Sequence, residues 1–448
     1  MKVDYLVAEI GSTTTLVTVF NIRRDSQGEA IIDIPYQGKS YTTVLEGDVT
    51  LGLKSAIRDI EAQVGEALKW DRMLATSSAA GGLRITVHGL MERMTVKAAK
   101  EAALGAGGII KMVTSGRLRP SDLKRIREIQ PNLIMIAGGT DYGERDTALY
   151  NAELIRNERF NIPIVYCGNI ENQEEIKEIL KGQELYIVDN VYPNVDELNV
   201  EPARKIIQEV FEKNIIKAPG METLKELVKG PIMPTPGAVM ESAKVLYDLI
   251  GDLIVFDVGG ATTDLHSVTE GNSEILDILL SPEPKAKRTV EGDLGVYING
   301  KNLIDLLDIR DLGPLDKEYI ENNLKAIPTS EEEIKASKIL TKKAVEVALD
   351  RHVGKIKRRF GGEGGFVAWG KDLSQVKYII GTGGALTRLP GGKEILENIK
   401  SLKDEVTMLP GKNTNILIDN DYIMACAGVL SRENKEAAEL LLKKSLRL

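Results

Sequence analysis

Two stretches of the chain repeat one pattern of apolar and polar positions. Over residues 5–20, two short β-rich runs, Leu6-Val7-Ala8 and Leu16-Val17-Thr18-Val19-Phe20, are joined by Gly11-Ser12-Thr13-Thr14-Thr15. That pattern predicts a hairpin with a hydroxyl-rich turn. Much further on, Leu253-Ile254-Val255-Phe256 leads into Asp257-Val258-Gly259-Gly260-Ala261-Thr262-Thr263-Asp264, and Leu265-His266-Ser267-Val268 continues as a strand. Behind each hairpin comes a buried-looking run that ends in a glycine pair: Leu133-Ile134-Met135-Ile136-Ala137-Gly138-Gly139 and Tyr378-Ile379-Ile380-Gly381-Thr382-Gly383-Gly384. Glu9 and Gly138 are 129 positions apart, and Asp257 and Gly383 are 126 apart. Two matches in the same order at nearly equal spacing predict an internal duplication.

Helical patterns, such as the alanine-rich 94–112, lie between the strands, so the expected class is α/β with mixed sheets flanked by helices. The expected division is an N-terminal lobe over 1–250, with an accessory insertion at about 151–232, and a C-terminal lobe over 251–448. Strands are expected within the first insertion at 164–166 and 185–188. Charged, helix-forming sequence at about 315–360 is a second expected insertion, inside the C-terminal lobe.

A chain of 448 residues exceeds one ordinary core, and 43% hydrophobic with 28% charged residues is a globular composition. The net charge of −8 argues against a nucleic-acid partner, whose binding rests on Lys and Arg. The basic runs 355–359 and 443–447 are expected to be solvated helix faces. No apolar run approaches the roughly 20 residues of a membrane span, and the N-terminus lacks a signal-like apolar core, so the expectation is a cytoplasmic protein with no membrane partner. Cys167 and Cys426 have no CxxC or Cys/His neighbourhood and are expected to be buried thiols. His88, His266 and His352 share no metal-ligand spacing.

The hairpins carry the candidate chemistry. A nucleoside triphosphate needs backbone N–H groups and hydroxyls around its oxygens, and carboxylates that hold magnesium and orient an attacking water. Gly11 allows close backbone approach, Ser12, Thr13 and Thr14 supply hydroxyls, and Glu9 brings a carboxylate. Gly259, Gly260, Ala261, Thr262 and Thr263 do the same from the second turn, with Asp257 and Asp264 as acids. Gly381, Gly383 and Gly384, followed by Arg388, would set a flat backbone against a nucleoside. No GxxxxGK[ST] occurs, and the turns lead into strands, so this is neither a Walker loop nor a dinucleotide fingerprint.

These three motifs resemble, in order, the two phosphate motifs and the adenosine motif of the acetate and sugar kinase/Hsp70/actin superfamily. Pro236-Gly237-Ala238-Val239-Met240-Glu241 and Tyr422-Ile423-Met424-Ala425-Cys426-Ala427-Gly428 resemble its two connecting helices. More narrowly, residues 9–15, the run Ala75-Thr76-Ser77-Ser78-Ala79-Ala80-Gly81-Gly82-Leu83, residues 137–143 and Arg288-Thr289-Val290-Glu291-Gly292-Asp293-Leu294-Gly295 resemble the MutL (GlmL) proteins associated with glutamate mutase and ornithine aminomutase. Those are unrelated to the mismatch-repair protein of the same name. The resemblance spans essentially the whole chain. It implies two RNase H-like lobes around an ATP cleft, and an ATP-driven chaperone that reactivates an adenosylcobalamin-dependent mutase or aminomutase. Carried over, Asp257 orients the lytic water and, with Glu9, holds magnesium through water; Thr262 contacts the γ-phosphate; Gly383 and Gly384 pack on adenosine. Glu9 stands where the superfamily has aspartate, and no counterpart of the chaperones' catalytic lysine can be identified.

Three other readings share parts of this evidence. A small-molecule kinase would use the same cleft, with Asp264 as base. An ATP-driven electron-transfer activator would need a suitable cysteine pair. A scaffold would bind nucleotide without turnover. For direct cobalamin binding, Asp350-Arg351-His352-Val353-Gly354 falls one residue short of DxHxxG and is expected to present a surface histidine.

Overall fold

The computed structural model describes residues 1–24, 26, 28, 30–43, 47–78, 83–215, 224, 226–228, 230, 232–358, 365–400, 402 and 406–448, and the side chains of all of these except 35, 212, 214 and 215. In chain order the strands are β1 (Lys2–Ile10), β2 (Thr14–Arg24), β3 (Ala30–Tyr41), β4 (Lys69–Ser77), β5 (Arg84–Gly89), β6 (Ile109–Ser115), β7 (Leu133–Ile136), β8 (Ile164–Tyr166), β9 (Leu185–Ile187), β10 (Ile232–Pro234), β11 (Leu253–Val258), β12 (Thr263–Val268), β13 (Ala286–Glu291), β14 (Lys355–Arg358), β15 (Phe366–Trp369), β16 (Tyr378–Thr382) and β17 (Asn415–Ile418). The chain divides into two compact units, one of Met1–Ala79, Thr223–Leu280 and Lys285–Leu448, the other of Ala80–Glu222 and Ser281–Pro284.

The first unit holds two sheets of one topology. In β10-β4-β1-β2-β3, β1 and β2 are antiparallel, as are β2 and β3, while β4 runs parallel to both β1 and β10. In β13-β12-β11-β16-β17, β11 and β12 are antiparallel, as are β12 and β13, while β16 runs parallel to both β11 and β17. The predicted hairpins are β1–β2 and β11–β12, each the centre of its sheet. The duplication is therefore present, but its second pair differs from the expected one. The counterpart of β16 in the first sheet is β4, which ends in Ala75-Thr76-Ser77, and not the run ending in Gly138-Gly139. A buried strand with a glycine turn suits any parallel sheet, and β7 belongs to the other unit. That unit also begins well before the 151–232 insertion anticipated from sequence. Residues 79–82 of the narrower motif lie outside the described residues, as do Arg359 and Phe360.

The two sheets share one apolar core. Val7, Phe20 and Leu74 from the first sheet and Leu253, Val255, Val268 and Ile380 from the second pack with the helices Thr235–Ile250, Met424–Leu430 and Lys435–Leu446. The first two helices contain the motifs likened to connecting helices, and they cross at a glycine. A Cβ on Gly428 would lie 1.8 Å from the Ala238 carbonyl oxygen, and the Ser242 hydroxyl donates to the Met424 carbonyl at 2.6 Å. Gly428→Ala is accordingly expected to force the helices apart and to lower stability by about 3 kcal/mol, read as a fall in melting temperature. The far face of the second sheet packs Ile254, Phe256 and Leu265 against the helix Glu331–His352.

The second unit is an open parallel sheet in the order β6-β5-β7-β8-β9. Numbered from its own first strand this is 2-1-3-4-5, a doubly wound arrangement. β8 and β9 are the strands expected at 164–166 and 185–188. Cys167 and Cys426 are free and buried. Two expectations fail. Lys355–Arg358 is a strand, paired with β15, and not a helix face. His352 is not on the surface: it is 1% exposed and bonded to the Thr289 and Ser267 hydroxyls at 2.6 and 2.8 Å. It closes a long amphipathic helix whose buried face reaches its last residue, and that is why a basic neighbourhood misleads there. No helix is long and apolar enough to cross a membrane among the described residues.

Candidate functional site

Both hairpin turns close in the same way. The Gly11 N–H donates to the Thr14 carbonyl, and the Gly259 N–H donates to the Thr262 carbonyl, each at 2.9 Å. Behind the first turn, the Thr42 hydroxyl donates to the Gly11 carbonyl at 2.8 Å and the Thr42 N–H to the Thr13 carbonyl at 3.0 Å. Behind the second, Val296 donates to Gly259, Tyr297 and Ile298 to Gly260, and the Asn299 amide to Ala261. The carbonyls are thus tied back. Among the described residues no hydrogen bond uses the N–H of Ser12, Thr13, Gly260 or Ala261. Turns with their carbonyls engaged and their N–H groups free are anion cradles. The turns also meet: a Cβ on Gly260 would lie 3.2 Å from Thr13 Cγ2.

A cavity of about 380 Å³ opens on these turns. Of the residues singled out from sequence, Glu9, Gly11, Ser12, Thr13, Thr14, Asp257, Gly259, Gly260, Ala261, Thr262, Gly384 and Arg388 line it, together with Asp264. Three do not. Thr263 is fully buried, its hydroxyl donating to the Leu294 carbonyl at 2.7 Å, because strand alternation turns it away from its neighbour Thr262. Gly381 faces Leu386, Leu396 and Ile418. Gly383 has φ +83°, and a Cβ there would meet Val258 O at 2.4 Å and Asp257 Oδ1 at 2.6 Å, so it backs the Asp257 carboxylate. Only Gly384, with open space where a Cβ would stand, offers the flat surface expected of the pair.

Register assembles the acids. Asp257 pairs with Asp264 on β12 and Thr382 on β16. Burial, then Asp264 and Glu9, hold its carboxyl well above the usual range. Burial likewise pushes Glu9 from an ordinary 4.5 to about 7, with Asp419 adding to the rise and the Tyr422 hydroxyl, donating at 3.2 Å, opposing it. Asp264 is raised by burial and drawn back by Arg288, whose Nε and Nη2 both donate to Oδ1 at 3.1 and 2.8 Å. Asp419 is fully buried and accepts from the Thr382 hydroxyl and from the Ile423 and Met424 N–H groups, anchoring the loop that presents Tyr422.

Carboxylates raised by one another favour an added cation. Among the described residues no group of three or more His, Cys, Asp or Glu side chains could hold a metal ion unaided. Magnesium keeps several waters and takes further oxygens from phosphates, so it can be held with few protein carboxylates. The residues present fit MgATP: Glu9 and Asp257 for the cation's waters, the two turns for phosphates, Gly384 and Arg388 for the nucleoside.

Sequence reasoning missed Thr15, Lys39, Lys325 and Tyr422 in the cavity wall. Lys39 and Lys325 bring positive charge to the cavity wall that no motif revealed. Lys39 reaches the wall only through the β2–β3 register, opposite Leu16. Arg388 donates to the Gln37 side chain at 2.7 Å and lies 5.7 Å from the Tyr422 ring centre.

Glu9 also makes a pH prediction. Its folded value near 7 exceeds its unfolded 4.5, so the folded state holds this proton more tightly. Its stability contribution is full below about pH 4.5 and is lost as pH rises through 7, up to roughly 3 kcal/mol. Thermal melts of the nucleotide-free protein should therefore fall between pH 5.5 and 8. Glu9→Gln should flatten that fall, and magnesium with ATP should reverse it at pH 8.

Duplicated sheets around crossing helices, with paired turns and acids in the cavity between them, are the architecture that the resemblance to the acetate and sugar kinase/Hsp70/actin superfamily leads one to expect. The model of the MutL protein family matches residues 5–446, and the chain belongs to that family. "Protein MutL" of Clostridium tetanomorphum is 36% identical over 464 aligned positions, which cover 99% of each chain. Among solved structures the chain is similar to acetone carboxylase in a nucleotide-free structure (14% identity, TM-score 0.40, 96% of this chain and 70% of that one). It is also similar to a diol dehydratase-reactivating factor in nucleotide-free form (10% identity, TM-score 0.37, 96% and 99%).

Proposed function

We propose that the protein is a slow ATPase whose nucleotide cycle reactivates an adenosylcobalamin-dependent mutase or aminomutase of the glutamate mutase or ornithine aminomutase type. The observation that carries the ATPase reading is the pair of turns with carbonyls tied back and N–H groups turned to a cleft that also holds Glu9 and Asp257. Membership in the MutL protein family, whose resemblance to glutamate mutase-associated proteins the motifs carry, supports the choice of client.

In this reading the N–H groups of Ser12, Thr13, Gly260 and Ala261 bind phosphate oxygens, with the Thr13 and Thr262 hydroxyls beside them. Lys39 and Lys325 add positive charge. Glu9 and Asp257 would hold magnesium through its waters, and Asp257 would orient the attacking water. Magnesium supplies charge neutralisation on the phosphates when bound. Gly384 and Arg388 receive the nucleoside, Arg388 already steadied by Gln37. Against the small-molecule kinase reading, Asp264 Oδ1 already accepts two bonds from Arg288, which supports a structural role for this acid.

The test is ATP turnover with and without magnesium, alone and with a cobalamin-inactivated aminomutase from the same genome. Magnesium-dependent turnover with recovery of mutase activity is the expected result. Turnover without recovery removes the client, and absence of ATP binding removes the central reading.

A further inference from the structure

In the unit Ala80–Glu222 with Ser281–Pro284, four large apolar side chains stand exposed in the loops that follow four strands: Met91 after β5, Tyr142 after β7, Ile170 after β8 and Val195 after β9, exposed by 52, 79, 45 and 67%. These strands are neighbours in the order β5-β7-β8-β9 and all run parallel. Their carboxyl ends therefore share one edge of the sheet, with strands about 5 Å apart. In open α/β sheets that edge is where ligands are received.

Tyr142 stands out within this row. Its φ is +61°, a conformation that bulky residues rarely adopt. The loop around it is pinned by two buried asparagines. Asn169 accepts from the Tyr142 N–H at 3.2 Å and donates to the Gly143 and Glu144 carbonyls. Asn190 donates to the Gly139 carbonyl and to Asp141. The fold thus holds a strained backbone rigidly in order to display a ring that the core does not use. Strain kept with no return in packing points to function, and a rigid, exposed tyrosine is the kind of side chain that anchors protein interfaces.

Charge selects the partner. The loops at this edge, 90–96, 116–119, 137–145, 167–172 and 188–199, carry seven carboxylates and four arginines. Arg117 and Arg119 lie on the loop after β6 at one end, Arg145 is already bonded to Asn172 and Glu175, and the loops after β7, β8 and β9, around Tyr142, hold six of the carboxylates. An acidic rim repels nucleic acid and anionic lipid. A small anion is also disfavoured at the helix Asp146–Asn157, because Glu144 already accepts its Thr147 N–H at 2.8 Å. What fits is a protein surface with an apolar pocket and a basic rim.

We infer that the carboxyl edge of this sheet, centred on Tyr142, is the surface that docks the client. This rests on the proposed function for the client's identity. The experiment measures binding of the full chain to the purified aminomutase or mutase of the same genome by biolayer interferometry, alongside melting temperature and ATP turnover. Tyr142→Gly suits the left-handed backbone, so it should keep or raise the melting temperature, leave turnover unchanged and weaken binding at least tenfold. Asp189→Lys with Asp196→Lys should weaken binding at low salt and flatten its salt dependence. Unchanged affinity in Tyr142→Gly overturns the docking surface while the client reading stands. If neither mutase binds wild type that turns over ATP, the client reading falls and takes the docking assignment with it.

Discussion

Asp257→Asn is expected to lower ATP turnover by about 10²–10³-fold while nucleotide still binds. The loss follows from chemistry: a positioned carboxylate that takes a proton or orients water contributes on the order of 10²–10⁴ in rate, and an amide of the same shape cannot accept the proton. Binding persists because, in the proposed site, the phosphate contacts would come from backbone N–H groups at the turns Gly11–Thr14 and Gly259–Thr262, whose closing bonds the substitution leaves in place. The variant should also melt higher than wild type in the absence of nucleotide. Asp257 is raised by burial and by Asp264 and Glu9, so removing its charge relieves repulsion that the folded state otherwise carries. Single-turnover hydrolysis, nucleotide titration and a melt at pH 8 read the three effects separately. Wild-type turnover in the variant removes Asp257 from the mechanism.

Arg288→Met is expected to cost 3–5 kcal/mol of stability, as when one partner of a buried ion pair is removed. Arg288 and Asp264 have side chains 2 and 4% exposed, so the remaining carboxylate has no solvent to turn to. Its pKa, already raised by burial with Arg288 opposing, rises further. The variant therefore loses least at low pH, where Asp264 is protonated in both states, and most above neutrality. Asp264→Asn in the Arg288→Met background should recover most of the loss. Denaturant melts at pH 5 and pH 8 check both the size and the sign. Equal losses at the two pH values, or no recovery in the double variant, contradict this account.

The two hairpins were legible because a glycine-threonine turn between two strands has local requirements. Glycine, threonine and a flanking acid must be neighbours in sequence to be neighbours in space, and strand alternation follows from the same few residues. Gly138-Gly139 misled for the converse reason: a buried strand ending in glycines satisfies the needs of any parallel sheet, and nothing local says which sheet it joins. Thr263 misled at a finer scale, since one step along β12 turns a side chain from the cleft to the Leu294 carbonyl.

What the sequence by itself determined is the α/β class, the duplicated hairpins, the acids Glu9 and Asp257 and the crossing helices, all properties of short contiguous runs. Only the tertiary structure decided that β4 is the counterpart of β16, that Lys39, Lys325 and Tyr422 join the cleft, that Arg288 takes Asp264, and that Tyr142 stands on an acidic edge of a separate parallel sheet. Those are matters of register and long-range pairing, where residues tens to hundreds of positions apart meet, and the energy that selects one pairing is spread over the whole sheet and core rather than written in any single motif.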